Sequence, residues 1–450
     1  MVTPRRLLVA ALIAWSASVA IGLWCRAPLT SDEAAYALLA RGDGETWLYR
    51  SRGVVALARL ALGLGDGELA LRLVPTLASI SFVLAIAAVG RRAFGAWTGA
   101  LAAAVIAGAH PFVLRGFELL GDLPAAACVL AAIAIILGEL AGESPPTYRL
   151  VGAAPLLAAA FYLRYGSAPV IALVGVAALA CWWRPIRARP GPAIATVIAL
   201  AVLFAPFAIV SMRATGSPIG ILALAGEVSG RTWFGRGVLV YVVGDPFRQY
   251  GALVPFVLVA AVWSVWRPSP RRRIASFLGA IAFGQIVVLG LVSHASSRFV
   301  FVAIALGVVL GVDALERALT DPRVRRGAVV AVAASWLGMA IAVVPFERHL
   351  SRNLAELTAS SAAIVRDADG RPCTVAARAL PQLMWYTRCA GWKIVGDARP
   401  PVDDTRLWYA ASTPRRPLDP HALGGNVTPV GPAWRIAPCY GYERCAAATP

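Results

Sequence analysis

Long apolar runs return along this chain at short intervals, and clusters of arginine separate them. Runs near 7–24, 69–89, 96–114, 122–141, 150–163, 167–183, 193–211, 251–266, 275–293, 299–315 and 327–345 give about eleven spans. A bilayer asks roughly 17–25 residues of a spanning helix, and 150–163 is the shortest of the set. Only 15% of residues are charged and 59% are hydrophobic, with a mean hydropathy of +0.69. Soluble domains average about 25% charged residues. The chain therefore reads as a polytopic membrane protein whose core is made against lipid.

The net charge of +18 would invite nucleic acid as a partner, but its distribution argues against one. The basic residues, all arginine except Lys393, gather mainly between apolar runs. Arg5/Arg6, Arg91/Arg92, Arg149, "RPIRAR" at 184–189, "RRR" at 271–273 and "RVRR" at 323–326 fall on alternate loops. By the positive-inside rule those loops and the N-terminus are cytoplasmic, and an odd number of spans places the C-terminal tail outside. No small-x-small cleavage site follows the first span before Asp32, so that span is an anchor and not a signal peptide. The Ala-, Gly- and Arg-rich composition points to a GC-rich bacterial genome, hence to a bacterial plasma membrane.

From about 346 the long apolar runs stop and Pro, Asp and Thr rise. "CTVAARAL", "WKIVGD" and "RLWYAAS" have strand character, and "LPQLMWYTRC" helical character. The expected fold is an all-α polytopic membrane bundle with a small C-terminal α/β extracytoplasmic domain, divided as 1–345 and 346–450. Cys373, Cys389, Cys439 and Cys445 all lie in the tail. An even set in an oxidising compartment implies two disulfides, with three pairings open. Zinc is the weaker reading, because Cys-x-x-Cys spacing is absent and His421 is the only nearby histidine. Cys128 and Cys181 lie inside spans as packing residues, and the "NVT" sequon at 426–428 is assigned to chance.

Charge near the span ends carries the functional signal. Thr30-Ser31-Asp32-Glu33 has the form of a capping box, and it opens "SDEAAYALLAR", one of two expected interfacial helices in the first outer loop. A cap accounts for Glu33 better than for Asp32. "FELLGDLPAA" puts Asp122 at the outer mouth of the fourth span, where it would either cap the helix or serve a site. Ionisable groups close to hydrocarbon mark functional sites by default. Arg50, Arg52, Arg59, Arg115, Arg164, Arg231, Arg236, Arg248 and Arg298 gather on the same outer side, against the positive-inside tendency. Guanidinium binds phosphate bidentately, so a phosphate is the natural partner. The bland alternative for any one of them is a snorkelling interfacial anchor.

"LTSDEAAYALLARG", "LGLGDGELALRLVPTLASI", "GRRAFG" and "FELLGDLPAA", in that order, resemble the opening of the polyprenyl-phosphate-sugar-dependent glycosyltransferases of GT-C fold. That group includes the protein O-mannosyltransferases and the aminoarabinose transferases of lipid A. The resemblance covers residues 1 to about 180. "SHASSRFVFVAIAL" is similar to a later "RY" segment of the group, with Phe299 in place of Tyr. The resemblance implies Asp32 as catalytic base, Glu33 as its orienting neighbour, Asp122 as a second site residue and a structural role for Arg72. Relatives carry a Lys-Pro-Pro or similar proline pair where this chain has "WLYRSRGVV". Either Arg50 or Arg52 supplies the cation there, or the acceptor differs.

The implied reaction is inverting transfer of a hexosyl or pentosyl group from a polyprenyl-phosphate donor to a hydroxyl on a lipid, glycan or protein. Arg298 and His294, then Arg164, with Arg50, Arg52 and Arg115, are the candidates for holding the phosphate. A lipid phosphate leaves readily, so no cofactor is required; a divalent metal is compatible, but no ligand cluster indicates one. Two other classes stay open. A transporter or lipid flippase would place ionisable groups at mid-membrane and repeat its first half in its second. A non-catalytic envelope-glycan-binding protein would use the aromatics of "MWYTRCAGW" and "RLWYA".

The orientation is testable. Cysteines placed at Arg91, Arg187, Arg272 and Arg325 should react with an impermeant thiol reagent only from the cytoplasm, and cysteines in the tail only from outside. A tail protected from outside reagent would mean an even number of spans.

Overall fold

The computed structural model describes residues 3–43, 48–142, 145–228, 236–244, 250–266, 271–292, 296–318, 321–377, 380–393, 407–411 and 426–437. The chain divides into two compact units. The first comprises Met1–Leu23, Leu48–Leu57 and Arg72–Val343; the second comprises Trp24–Trp47, Ala58–Leu71 and Val344–Pro450.

Each apolar run falls on a helix: Pro4–Trp24, Glu68–Ala93, Ala96–Ala107, Asp122–Leu140, Ala153–Leu163, Ala168–Ala188, Gly191–Thr215, Val254–Trp266, Arg272–Val292, Phe301–Ala318 and Pro322–Ala368. Among the described residues, eight helical stretches are long and apolar enough to cross a bilayer, and three apolar ones (Ala96–Ala107, Tyr148–Leu163 and Val254–Val265) are shorter. This is a multi-pass membrane protein. The last apolar run does not end its helix: the residues after Pro345 stay helical, with polar sequence, to Ala368.

A helix that is apolar all round belongs in the interior of a bundle or against lipid, and the first unit has both kinds. In the stretch Ser297–Ala318, 83% of the most apolar window is buried; in Gly191–Thr215 it is 6%. The Phe301–Ala318 helix is therefore the axis of the first unit, and Gly191–Thr215 presents its side chains to hydrocarbon. Aromatic rings tie the axis to its neighbours. Phe112 lies 4.5 Å from Phe301 and 5.4 Å from Phe82, centroid to centroid. Trp15 packs beside Phe82, and its indole N–H donates to Ser79 Oγ at 3.1 Å, so the buried ring leaves no orphan donor.

Two segments of the second unit bear on the site. Helix Ser31–Arg41 begins at the N-cap Thr30 and ends at Gly42, whose left-handed φ of 86° suits a residue without a Cβ. A second helix, Arg52–Leu62, follows in the same loop, as expected; its residues up to Leu57 belong to the first unit and the rest to the second. The carboxy-terminal part holds five strands: β1 (Cys373–Ala377), β2 (Ala390–Lys393), β3 (Leu407–Ala411), β4 (Asn426–Val430) and β5 (Ala433–Ala437). Their order is β2-β1-β3-β5-β4. β1 runs parallel to β2 and β3, while β5 runs antiparallel to β3 and β4. The helix Leu380–Thr387 connects β1 to β2, as parallel strands require. The β4–β5 hairpin turns on Gly431-Pro432 and takes up the "NVT" stretch.

Asp367, at the end of the long helix, fastens the sheet. It accepts from Tyr409 Oη at 2.7 Å and pairs with Arg435 at 3.3 Å. Burial and the bond to this carboxylate push the Tyr409 phenol well above its ordinary range. Of the three cysteine pairings left open, the structure contains Cys373–Cys389, which closes the β1–helix–β2 connection. By loop entropy a bridge of that span contributes about 3 kcal/mol. Cys439 and Cys445 lie outside the described residues.

Close backbone approach, rather than side-chain packing, sets one junction of the first unit. A Cβ on Gly121 would collide with the Leu163 carbonyl oxygen, and one on Gly53 would sit 2.7 Å from the Leu163 nitrogen. Ser51 Oγ completes the junction by accepting from Tyr165 N at 3.3 Å. Gly121→Ala should then destabilise the protein by about 1–3 kcal/mol through overpacking. Gly175→Ala, where nothing lies within 4 Å of the added carbon, should be silent. Thermal unfolding of the purified protein in detergent checks both, and equal behaviour of the two variants would contradict the close approach.

Candidate active site

The acidic helix is anchored at its entry, within the second unit. Thr30 Oγ1 accepts from Glu33 N, while Glu33 Oε2 accepts from Thr30 N at 2.9 Å and from Thr30 Oγ1 at 3.0 Å, so the expected capping box is complete. Glu33 is wholly buried in this arrangement, and Asp32, one residue earlier, is half-buried in the first turn. The box uses Glu33 and leaves Asp32 out of the reciprocal cap.

The loop before this helix is strapped by residues far away in sequence. Ala27 N donates to Glu347 Oε2 at 2.8 Å, and Leu29 N donates to the Tyr386 hydroxyl at 2.7 Å. Leu29 O accepts from Gln382 Nε2 at 3.0 Å. The Tyr386 hydroxyl in turn donates to Glu68 Oε1 at 2.7 Å. At the other end of the helix, Arg41 stacks 4.0 Å from the Trp385 ring and pairs with Asp43 at 3.0 Å. The helix Leu380–Thr387 thus holds both ends of the segment that carries Asp32. None of these partners was foreseen; the only sequence signal was a Gln and a Tyr in an otherwise apolar "LPQLMWYT".

A second constellation lies in the first unit. Asp122 is the first residue of its helix, and the N-cap position belongs to Gly121, which makes no side-chain cap. The capping alternative for Asp122 is thereby replaced: its carboxylate pairs with Arg164. Arg164 can reach it because the Ala153–Leu163 helix stops there, with Arg164 in extended backbone before the short turn Tyr165–Ser167. The same guanidinium lies 4.6 Å from the Phe299 ring and donates to the Arg298 carbonyl at 3.5 Å. The Arg298 guanidinium lies 5.4 Å from that ring as well. Two arginines thus lie beside one aromatic ring, and one of them pairs with the Asp122 carboxylate. Asp122, Arg164, Ser167, Gln285, Arg298 and Phe299 line a small cleft together.

Gln285 is the residue that sequence reasoning missed here. From the middle of Arg272–Val292 it donates to Phe299 O at 3.0 Å and accepts from Ala303 N at 2.7 Å. It therefore satisfies backbone groups at the start of the central helix and fixes the Arg298–Phe299 turn. A lone Gln within "AIAFGQIVVLGLV" was the signal available.

Of the remaining described candidates, Arg115, Arg50 and Arg52 do not line this cleft. Arg115 is half-buried and pairs with the buried Glu118. Arg50 is half-buried beside the Tyr49 ring, and Arg52 is exposed at the first position of its helix. Arg72 is buried, in keeping with a structural role. His294, Arg231 and Arg248 lie outside the described residues. Among the described residues no group of three His, Cys, Asp or Glu side chains is placed to hold a metal ion.

Residues 53–209 match the family model of the dolichyl-phosphate-mannose-protein mannosyltransferases. No curated protein matches the chain by sequence. Its structure is similar to that of ArnT from Cupriavidus metallidurans bound to undecaprenyl phosphate, with a TM-score of 0.69 at 16% identity, covering 96% of this chain and 97% of that one. The apo state of the same protein gives a TM-score of 0.69 at 15% identity, covering 96% of each chain. The Archaeoglobus fulgidus oligosaccharyltransferase AglB, in complex with an inhibitory peptide and a dolichol-phosphate, gives 0.56 at 13% identity, covering 85% of this chain and 64% of that one. The chain thus has the fold of these solved structures, the GT-C fold that the sequence resemblance implied.

The strap on the acidic segment yields a direct expectation. Tyr386→Phe removes the acceptor for Leu29 N and the donor to Glu68, leaving polar groups without those partners at a cost of about 1–3 kcal/mol. The apparent Tm of the purified protein should fall accordingly. A Tm equal to wild type would mean that the strap does not hold the segment.

Proposed function

We propose that this chain is a membrane glycosyltransferase that moves a hexosyl or pentosyl group from a polyprenyl-phosphate donor to a hydroxyl acceptor on the non-cytoplasmic face. The observation that carries the reading is the Asp122–Arg164 pair with Arg298 around Phe299, on a fold whose solved relatives bind undecaprenyl phosphate or a dolichol-phosphate. Two guanidiniums can take the two oxygens of a departing phosphate, and Asp122 keeps Arg164 in place for that task. In these terms Asp122 is a positioning residue.

Asp32 is the general base. It takes the proton of the acceptor hydroxyl while the oxygen attacks the anomeric carbon. The bond from that carbon to the phosphate oxygen breaks in line, the centre inverts, and the electron pair leaves on the lipid phosphate. Base assistance contributes about 10²–10⁴-fold. Arginines aimed at the leaving phosphate contribute a further electrostatic term without reorganising during the step. Glu33 supports Asp32 indirectly, because its carboxylate is committed to the cap that fixes the first helical turn.

Conservative substitutions separate a base from a cap. Asn caps helices about as well as Asp, so as a mere cap Asp32→Asn would lose only the dipole contribution, about 0.3–1 kcal/mol. As the base, Asp32→Asn should lower transfer by roughly 10² or more with expression and donor binding near normal. Glu33→Gln should be milder, since an amide can still close the capping box. Asp122→Asn should fall between them. Turnover of a labelled polyprenyl-phosphate sugar at saturating donor gives the order, and an active Asp32→Asn protein would remove Asp32 from the chemistry.

A further inference from the structure

A broad concavity of the first unit lies at the other end of the Asp122–Leu140 helix from Asp122. Gly138, near the far end of the Asp122–Leu140 helix, lines it, which places it roughly 24 Å along the axis from the acid at 1.5 Å per residue. Its volume is about 1260 Å³. Arg91, Arg92, Arg184, Arg271, Arg272 and Arg273 converge on it from three separate chain segments, and no Asp or Glu is among the described lining residues. All six are exposed.

The positive-inside rule explains why arginines occupy these loops, but not why they face one another across a cavity. Helix dipoles explain part of the placement. Arg91 and Arg92 sit in the last turn of Glu68–Ala93, where a cation is favoured. Arg272 and Arg273 open Arg272–Val292, where the dipole disfavours a cation. Like charges gathered at a helix N-terminus call for an anion. Arg271 meanwhile donates to the Phe94 carbonyl and so ties two of the three segments together.

The apolar part of the lining indicates where the anion comes from. Ala168–Ala188 breaks its helical geometry at Trp182, which is buried 4.8 Å from Phe277, and Pro185 follows in the same turn. The neighbouring Trp183 is exposed, on a helix whose Val176 and Leu179 are also exposed to hydrocarbon. Tryptophan at the end of a lipid-facing helix marks the level of the headgroups. The cavity exceeds the roughly 300–1,000 Å³ of ordinary small-molecule pockets. It suits a bulky headgroup entering from the bilayer better than a lone phosphate ion.

We propose that this arginine-lined cavity binds the phosphate headgroup of an anionic phospholipid from the leaflet on the Arg91 side, independently of the sugar-transfer site. The test uses the purified full-length protein in neutral detergent, with dioleoyl phosphatidylglycerol, dioleoyl phosphatidylcholine or inorganic pyrophosphate added, and bound species read by native mass spectrometry. Wild type should retain phosphatidylglycerol over phosphatidylcholine by about tenfold, and the combined Arg184→Gln, Arg272→Gln, Arg273→Gln variant should lose that preference. If the combined variant does not insert, Arg184→Gln and Arg273→Gln singly decide, each expected to weaken retention by about threefold. Equal retention of the two lipids by wild type, an unchanged preference in the variants, or pyrophosphate bound more tightly than phosphatidylglycerol would overturn the proposal.

Discussion

An ionised side chain at the centre of a membrane helix costs about 2.5–3.5 kcal/mol on insertion scales, and this cost organises the first unit. Its described helices keep their interiors apolar and carry their charges near the ends. Where a charge lies close to hydrocarbon it is paired or held by backbone. Asp122 meets Arg164, Arg115 meets Glu118, and Arg317 meets Asp313. The one strongly polar residue in mid-helix at the cleft, Gln285, uses both ends of its amide on backbone groups. The same rule that clears the interior concentrates guanidinium at the two ends of the bundle, once around Phe299 and once around the cavity lined by Arg91 and Arg273.

In the second unit a different constraint dominates. Short polar segments without a large apolar core of their own need specific bonds to hold one shape. Ala27 and Leu29 give their backbone groups to Glu347, Tyr386 and Gln382, and the helix that supplies two of those partners is closed into the sheet by Cys373–Cys389. The capping box then fixes the first turn of the helix that bears Asp32. The carboxy-terminal part is, by this account, a support for the acidic segment. The base proposed at Asp32 would need such a support, because a catalytic group must be held to within about 0.5 Å of its working position.

What the sequence made legible follows from the range of the interaction concerned. Apolar runs are local, and each of them contains a helix, although the run 96–114 breaks after Ala107. The capping box is local, and Thr30 and Glu33 form it as read. Gly42 ended its helix for the same reason. Asp122 was ambiguous because a cap and an ion pair share the same local pattern; the choice depended on Arg164, which only the folded chain brings near. Tyr386 and Leu29 lie 357 residues apart, and Gln382 and Leu29 353 apart, so no window of sequence contains those bonds. The Asn426–Ala437 hairpin was missed although Gly431-Pro432 is a turn signal, because Pro429 lowers the strand character of the segment before it.

The central claim is that the chain breaks the bond between a sugar and a polyprenyl phosphate. Purified protein in sealed proteoliposomes, supplied with a doubly labelled polyprenyl-phosphate sugar and a soluble or lipid hydroxyl acceptor, measures this directly. Free polyprenyl phosphate should appear in step with a glycosylated acceptor of inverted anomeric configuration. Intact donor that crosses the bilayer without losing its sugar would contradict the account and assign the fold to transport in this chain.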